Sequence, residues 1–262
     1  MVIRHEWLRG AAWHVLAGTW ALALVVLSVL ASEESARAGS RPLTVLAASS
    51  LTEAFASYDD GARYSFGSSG ALETQIREGA PADLFASASP RNAQRLYGAG
   101  LVERPVTFAA GALALIVPRS NPARISAVSD LGRASVKLVV AAPSVPAGSY
   151  TGALLRALGL GSVLANVVSR EPDVKAVIGK VALGQADAGF VYATDARAAG
   201  DRVKVISIPV RAQPDIRYQV AVVARSPQRA RARAWVRGLL GTKGQAALRR
   251  AGFLPAPVGR TP

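Results

Sequence analysis

The sequence predicts an α/β protein with two lobes, built mainly from parallel sheets that are flanked by helices, with a ligand cleft between the lobes. Short apolar runs alternate with helical patterns over most of the chain, which is typical of sheets covered by helices. Half of the 262 residues are hydrophobic, enough for a sizeable core. The chain is predicted to leave the first strand–helix unit near Gly111 and to return to it near Tyr218. The first lobe therefore takes residues from both ends of the chain.

The N-terminal segment, residues 1–38, has the features of a secretory signal peptide. Arg4 and Arg9 precede an apolar run over residues 11–31. Ala36-Arg37-Ala38 is a small-x-small cleavage site before Gly39. An uncleaved membrane anchor is the alternative, because the apolar run is long enough to span a bilayer. Export without a lipid-modified cysteine predicts a periplasmic location.

The first lobe is predicted to occupy residues 39–111 and to be completed by a return segment, residues 218–262. Its strand–helix pairs are expected over residues 43–48 and 50–58, 62–66 and 72–79, and 83–87 and 91–97. The apolar run at 43–48 is typical of a buried parallel strand, and Asp59-Asp60-Gly61 predicts a turn. The return segment holds a strand at 218–223 and a helix over 227–251 that ends at Gly252.

The second lobe is predicted to occupy residues 112–217. It begins with a crossover strand and continues the alternation of apolar runs and helical patterns. Its strands are expected at 112–117, 136–141, 188–192 and 203–208, and its helices at 150–158 and 174–183.

Composition excludes several kinds of chemistry. The chain has no cysteine, and its histidines, His5 and His14, lie in the predicted signal peptide. Disulfides, cysteine nucleophiles, histidine-ligated zinc and Ser-His-Asp catalysis are therefore excluded for the mature chain. The net charge of +14 fits attraction of an anion or an acidic surface, or an arginine-rich proteome. The cations are not interleaved with aromatic residues, which argues against nucleic acid binding.

Four predicted helix starts lie where strands end, and together they predict an oxyanion site between the lobes. They are at Ser50, at Ser68-Ser69-Gly70, at Pro146-Ala147-Gly148 and at Asp173-Val174. Helix N-termini present unpaired N–H groups and a partial positive charge to anions. The phenol of Tyr192, at a strand end, adds a donor. Taken singly, these features also fit an N-cap (Ser50 with Glu53 as a capping box), a turn, a helix start and a core aromatic.

The same stretches carry a family resemblance that is collinear over residues 43–254. The matching pieces are Val45–Leu51, Phe66–Gly70, Gly79–Ala88, Val145–Tyr150, Asp173–Lys175, Gly189–Ala196 and Ala251–Phe253. They resemble the molybdate-binding proteins, the periplasmic components of molybdate ABC transporters. This resemblance implies a type II periplasmic binding protein fold and a non-enzymatic monomer. It would take molybdate or tungstate as ligand, carry no cofactor, and deliver the ion to a membrane permease. The stretch between Ser50 and Ser69 is shorter than is usual in the family, by about two helical turns.

The resemblance also implies a donor set for the oxyanion. Ser50 and Ser69 would donate from their hydroxyls, Ala147 and Val174 from their backbone N–H groups, and Tyr192 from its phenol. These residues would contact the oxygens of the molybdenum oxyanion, so none is a direct metal ligand.

Three alternatives remain open from the residues. The first is a binder of another oxyanion, such as sulfate, or of a small organic anion. The second is a hydrolase with Ser50 or Ser69 as nucleophile and Lys175 or Tyr192 as partner. The third is the ligand-sensing half of a regulator. It would need a DNA-binding helix pair, where the N-terminus instead predicts export.

Overall fold

The structure, a computed structural model, describes residues 41–257. The predicted signal peptide, residues 1–38, lies outside the described residues, as does the alternative of an anchor there. Within residues 41–257, no helix combines the length and the apolar character that a membrane crossing requires.

Within residues 41–257, ten strands form two five-stranded sheets. The strands are β1 Thr44–Ala48, β2 Arg63–Gly67, β3 Leu84–Ser87, β4 Val106–Gly111, β5 Leu113–Pro118, β6 Leu138–Ala141, β7 Val167–Glu171, β8 Ala188–Tyr192, β9 Val203–Ile206 and β10 Ile216–Val222. The first sheet has the order β2-β1-β3-β10-β4 and the second has the order β7-β6-β8-β5-β9. The predicted α/β architecture is confirmed, and β10 returns to the first sheet from the C-terminal part of the chain.

Helices cover these sheets. In the described part of the chain they are α1 Thr52–Tyr58, α2 Ser69–Arg77, α3 Pro90–Gly98, α4 Pro146–Ala157, α5 Val174–Ala182, α6 Ala193–Ala199, α7 Arg229–Leu240 and α8 Thr242–Arg250. Apolar residues fill the space between helices and sheets, with Phe55, Phe85, Phe108, Phe190 and Tyr218 among the largest fully buried side chains.

Both sheets are mixed, whereas mainly parallel sheets were predicted. In the first sheet β1 pairs in parallel with β2 and β3, while β10 runs antiparallel to β3 and β4. In the second sheet β6 pairs in parallel with β7 and β8, while β5 runs antiparallel to β8 and β9. The antiparallel pairs arise because β5 and β10, the strands at the two crossings between the sheets, each enter a sheet against the direction of its parallel strands.

Some elements differ from the sequence prediction. Strands β4 and β7 and helix α6 were not predicted, and the predicted helix over residues 227–251 is two helices that separate at Gly241. The amide of Gly241 bonds to the carbonyls of Arg237 and Gly238, which closes α7 before α8 begins. Glycine is a weak helix former, so a break at this position is inexpensive.

The short first helix is held by aromatic side chains and by Asp59. The Tyr58 hydroxyl donates to the Trp235 carbonyl at 2.8 Å, and the Trp235 indole donates to Asp59 Oδ2 at 2.8 Å. Asp59 Oδ1 accepts from the Gly61 amide at 3.0 Å, which fixes the early turn into β2. Bonds to α7 therefore fasten α1 directly, although α1 is only seven residues long.

The chain crosses between the two sheets at Gly111–Leu113 and again near Gln213. Ala112, between β4 and β5, accepts a hydrogen bond from the Ala193 amide at 2.9 Å. The side-chain amide of Gln213 accepts from the Leu113 amide at 2.8 Å and donates to the Leu113 carbonyl at 2.9 Å. One side chain therefore ties the two crossings together, as a neighbouring strand would.

Candidate functional site

The predicted site residues meet at one small cavity between the edges of the two sheets. Ser50, Ser69, Val174 and Tyr192 line it, and Ala147 lies buried directly after the lining residue Pro146. The complete lining is Ala48, Ser49, Ser50, Gly67, Ser68, Ser69, Ala88, Val145, Pro146, Val174 and Tyr192. The cavity therefore lies where four strands end and three helices begin. The strands are β1, β2, β3 and β8, and the helices are α2, α4 and α5. We call the residues from the first sheet and its helices the first side, and those from the second the second side.

The cavity is small. Its volume is about 10 Å³, which is about the room that one water molecule needs. An open cleft of about 460 Å³ shares Ser68 and Val145 with it and reaches solvent between the two sides. Gly70 keeps the sides close at this point, since a Cβ there would lie 3.1 Å from the Ser144 carbonyl oxygen. A four-oxygen anion needs more room than the cavity offers, so the residues that line the cavity must move to admit one.

Ser50 lies in a short 3₁₀ turn, Ser49–Leu51, between β1 and α1. Its buried hydroxyl is 3.2 Å from the Tyr218 hydroxyl, where either oxygen can be the donor. Burial raises the pKa of Tyr218 well above its usual value, although the bond to Ser50 lowers it. Tyr218 is therefore a neutral phenol that orients Ser50.

The capping box predicted for Ser50 and Glu53 does not form. The turn has Ala48 at its N-cap and no side-chain cap bond. Glu53 instead accepts a hydrogen bond from Lys175 on the second side, with 2.8 Å between Nζ and Oε1. The prediction was wrong because Ser50 lies inside a 3₁₀ turn that runs directly into α1, so it does not occupy a cap position.

Ser69 is the first residue of α2, and Ser68 is its N-cap. The Ser69 hydroxyl oxygen accepts a hydrogen bond from the Ala88 amide at 3.0 Å, while the Ser68 oxygen accepts from the Ala71 amide at 3.3 Å. An accepting hydroxyl retains its own proton as a donor. Ser69 is thus fixed by the backbone after β3 and still has a proton to give.

The second side offers backbone donors at the starts of α4 and α5. The first N–H groups of a helix have no acceptor within the helix, so those of Ala147 and Val174 are available in the first turn of each. Asp173 is the N-cap of α5, as predicted, because its Oδ1 accepts from the Ala176 amide at 3.0 Å. Gly148 lets α4 start against β6, since a Cβ there would lie 2.2 Å from the Ala142 carbonyl oxygen.

Tyr192 ends β8, and its side chain is buried. Within the described residues its hydroxyl has no hydrogen-bond partner. Burial is the main cause that raises its pKa well above the ordinary value, so the group remains a neutral donor. An unpartnered buried hydroxyl at a cavity wall is costly unless a ligand accepts from it.

The arrangement suits hydrogen bonding to an anion better than nucleophilic catalysis. The Lys175 ammonium group contacts Glu53, and the hydroxyl nearest to Ser50 is that of Tyr218, which is neutral. Among residues 41–257, no group of three or more His, Cys, Asp or Glu side chains could hold a metal ion. The donors that line the cavity are hydroxyls and amides.

Several residues at the site were missed or underestimated from the sequence. Tyr218 was expected only as part of a return strand, and Asp195 only as part of a family motif. Ala88 supplies an amide to Ser69 that no side-chain pattern indicates. A signal was present for Asp195, because a carboxylate three residues after a predicted site tyrosine is unusual next to an anion.

Comparison with known proteins identifies the family. Residues 43–254 match the model of the bacterial extracellular solute-binding proteins. The chain belongs to this family. The solute-binding protein is also 35% identical over 225 residues to the molybdate-binding protein ModA of Mycobacterium tuberculosis, covering 82% of this chain and 85% of that protein. That identity places it with the molybdate-binding proteins within the family.

Solved structures agree on the fold. The periplasmic molybdate-binding protein of Azotobacter vinelandii aligns with a TM-score of 0.71 at 24% identity, covering 82% of this chain and all of that chain. The sulfate-binding protein SubI of M. tuberculosis aligns with a TM-score of 0.74 at 20% identity, covering 82% and 86%. Since proteins named for two different oxyanions share the fold, the fold alone does not select the ligand.

Proposed function

We propose that this solute-binding protein captures molybdate, and tungstate with it, as the periplasmic substrate-binding component of an ABC importer. The observation that carries the proposal is the convergence of two serine hydroxyls, two helix starts and one unpartnered phenol on a single cavity. The relatives named as molybdate-binding proteins support the same ligand. The protein acts as a carrier, with the oxyanion as its ligand and no cofactor.

The five proposed ligand contacts are the hydroxyls of Ser50 and Ser69, the amides of Ala147 and Val174, and the phenol of Tyr192. Each group donates, which suits a fully ionised tetrahedral dianion. Hydrogen phosphate carries a proton that needs an acceptor, and leaving that proton unpaired costs about 1–3 kcal/mol. The donor set therefore disfavours phosphate by about tenfold to a hundredfold.

Capture is proposed to proceed by closure of two lobes, residues 39–111 with 218–262 and residues 112–217. The hinge lies where the chain crosses between the sheets, near Gly111–Ala112 and near Gln213, just before β10 enters the first sheet at Ile216. Closure brings donors from both lobes onto one ion and excludes water, which strengthens each hydrogen bond. The small cavity beside a much larger cleft between the two sides is consistent with this motion.

Export by a signal peptide over residues 1–38 and a periplasmic location belong to the same proposal. The closed monomer would dock on the membrane permease of the importer and release the oxyanion there. The net charge of +14 steers anions towards the protein, over a range that salt limits to about 8–10 Å.

Calorimetric titration of the purified protein with molybdate, sulfate and phosphate tests the proposal. Tight one-to-one binding of molybdate with weak or no binding of sulfate is the expected result. Preference for sulfate would keep the mechanism and overturn the ligand. No heat with any of the three anions would overturn the oxyanion function.

A further inference from the structure

Lys175 lies between two carboxylates that come from opposite sides of the cavity. Its Nζ is 2.8 Å from Glu53 Oε1, in α1 on the first side, and 3.4 Å from Asp195 Oδ1, in α6 on the second side. The lysine directly follows Val174, a proposed backbone donor, in the first turn of α5. The bridge therefore sits at the edge of the anion site and spans both sides.

Asp195 is the unusual partner in this bridge. Its side chain has no exposed surface, and within the described residues neither of its oxygens accepts a hydrogen bond. Burial raises its pKa to about 7; Lys175 lowers that pKa, while Glu53 and Asp173 raise it. The other titratable groups that sense it are the neutral phenols of Tyr192 and Tyr218.

A buried carboxylate near a bound dianion repels it unless a cation or a proton neutralises the carboxylate. Lys175 is the cation in contact with Asp195. Glu53 is about half exposed, so its bond to Lys175 is a weaker contribution than the neutralisation of Asp195.

We infer that Lys175 is a positioning residue of the anion site, which neutralises Asp195, three residues after the cavity-lining Tyr192, and ties Glu53 of the first side to the second side. This inference rests on the proposed function and adds a residue that does not itself touch the ligand. Its signature is a dependence of molybdate affinity on pH. Raising the pH ionises Asp195, and the dianion binds the ionised form less well when Lys175 is missing.

The test is calorimetric titration of molybdate into the full chain at about pH 6 and about pH 9.5, the upper value being high because loss of Lys175 raises the pKa of Asp195 further, with wild type, Lys175→Met and Lys180→Met. Lys180 is the matched control, since it lies on the same helix, is equally exposed and pairs with Glu171 at 2.7 Å, outside the cavity lining. From the lower to the higher pH, the molybdate affinity of Lys175→Met should fall by a factor at least about ten times that of wild type. Lys180→Met should follow the wild-type profile.

Two further variants separate the two parts of the inference. Lys175→Met/Asp195→Asn should lose the added pH dependence and retain a loss of about two- to fivefold, which measures the tie to Glu53. Lys175→Arg should keep the wild-type profile. Thermal unfolding of each variant confirms that folded protein is compared.

The outcomes are distinguishable. A Lys175→Met profile parallel to wild type overturns the neutralisation, and full recovery of affinity in the double variant overturns the tie. If wild type binds no molybdate at either pH, the proposed function itself fails. Wild-type binding with an unchanged Lys175→Met variant overturns this inference alone.

Discussion

The two sides of the cavity satisfy their polar groups in opposite ways. On the first side, Ser50 is hydrogen-bonded to Tyr218, and Ser69 accepts from the Ala88 amide. On the second side, the hydroxyls of Tyr192 and Thr194 and both oxygens of Asp195 have no hydrogen-bond partner within residues 41–257. These atoms come from one four-residue segment at the end of β8 and the start of α6.

This difference separates the first-side hydroxyls, which are already bonded within the protein, from the Tyr192 hydroxyl, which lines the cavity and can donate to a ligand. A partnered hydroxyl is oriented before the anion arrives and contributes to folding as well. An unpartnered buried hydroxyl costs stability, which a ligand that accepts from it can restore. The first side is thus preorganised, and the second side gains most from binding.

The largest expected effect comes from Gly148→Ala, which perturbs the backbone donors of the second side. Its Cβ would lie 2.2 Å from the Ala142 carbonyl oxygen and 2.3 Å from that of Ala141, so the start of α4 must move. We expect a loss of about 4 kcal/mol in the free energy of unfolding and at least about a hundredfold in molybdate affinity. Denaturant titration and calorimetry measure these two quantities.

Gly152→Ala is the control in the same helix. Its Cβ would meet only the flexible end of Arg156, at 3.4 Å. The substitution should stabilise α4 by about 0.5–1 kcal/mol and leave binding unchanged. Equal behaviour of the two alanine variants would contradict the role assigned to Gly148.

The second effect is a dependence of stability on pH that belongs to Asp195. Its pKa of about 7 in the folded protein, against an ordinary 3.8, means that the folded state holds a proton that the unfolded state releases. The stability of the wild-type protein should therefore fall as pH rises from about 4 to about 7, by up to about 4 kcal/mol. In denaturant titrations, the free energy of unfolding of Asp195→Asn should vary less with pH over this range. A wild-type slope that persists in the variant would assign the effect to other groups.

Ser69→Ala tests the first side. Removing the hydroxyl deprives the buried Ala88 amide of its acceptor, so the free energy of unfolding should fall by about 1–2 kcal/mol. Loss of one charge-assisted bond to the ligand should also weaken molybdate binding by about tenfold to a hundredfold. If calorimetry shows that Ser69→Ala binds molybdate with wild-type affinity, the assignment of Ser69 to the site is contradicted.

Tyr192→Phe has the smallest expected effect on stability and the opposite sign. It removes an unpartnered buried hydroxyl, so the free energy of unfolding should be unchanged or rise by up to about 1 kcal/mol. Its loss of molybdate affinity should match that of Ser69→Ala. If denaturant titration shows the two variants equally destabilised, the contrast between the sides is wrong.

Local features of the site were predictable from the sequence. Val174 begins α5 and Asp173 caps it, because both depend on residues within one helical turn. The contact of Ser50 with Tyr218 joins residues 168 positions apart, and that of Glu53 with Lys175 joins residues 122 apart. No local pattern encodes such pairs, and the second of them involves the glutamate that local reasoning assigned to a capping box.

The fold shows the same division. The apolar runs located most strands, because burial of a strand is visible in its composition. They carried no information on direction, so the antiparallel entry of β5 and β10 was missed. Strand β7, at the edge of its sheet, alternates partly buried and exposed residues over most of its length, which is why no apolar run indicated it.

The place of β10 in the first sheet has a consequence for the order of folding. All strands of the second sheet have left the ribosome once Ile206 has passed, whereas the first sheet still lacks the strand between β3 and β4. Its middle is completed only by residues 216–222, near the end of the chain. A nascent chain therefore cannot complete the first sheet until nearly its whole length has been made, although all the strands of the second sheet are present earlier.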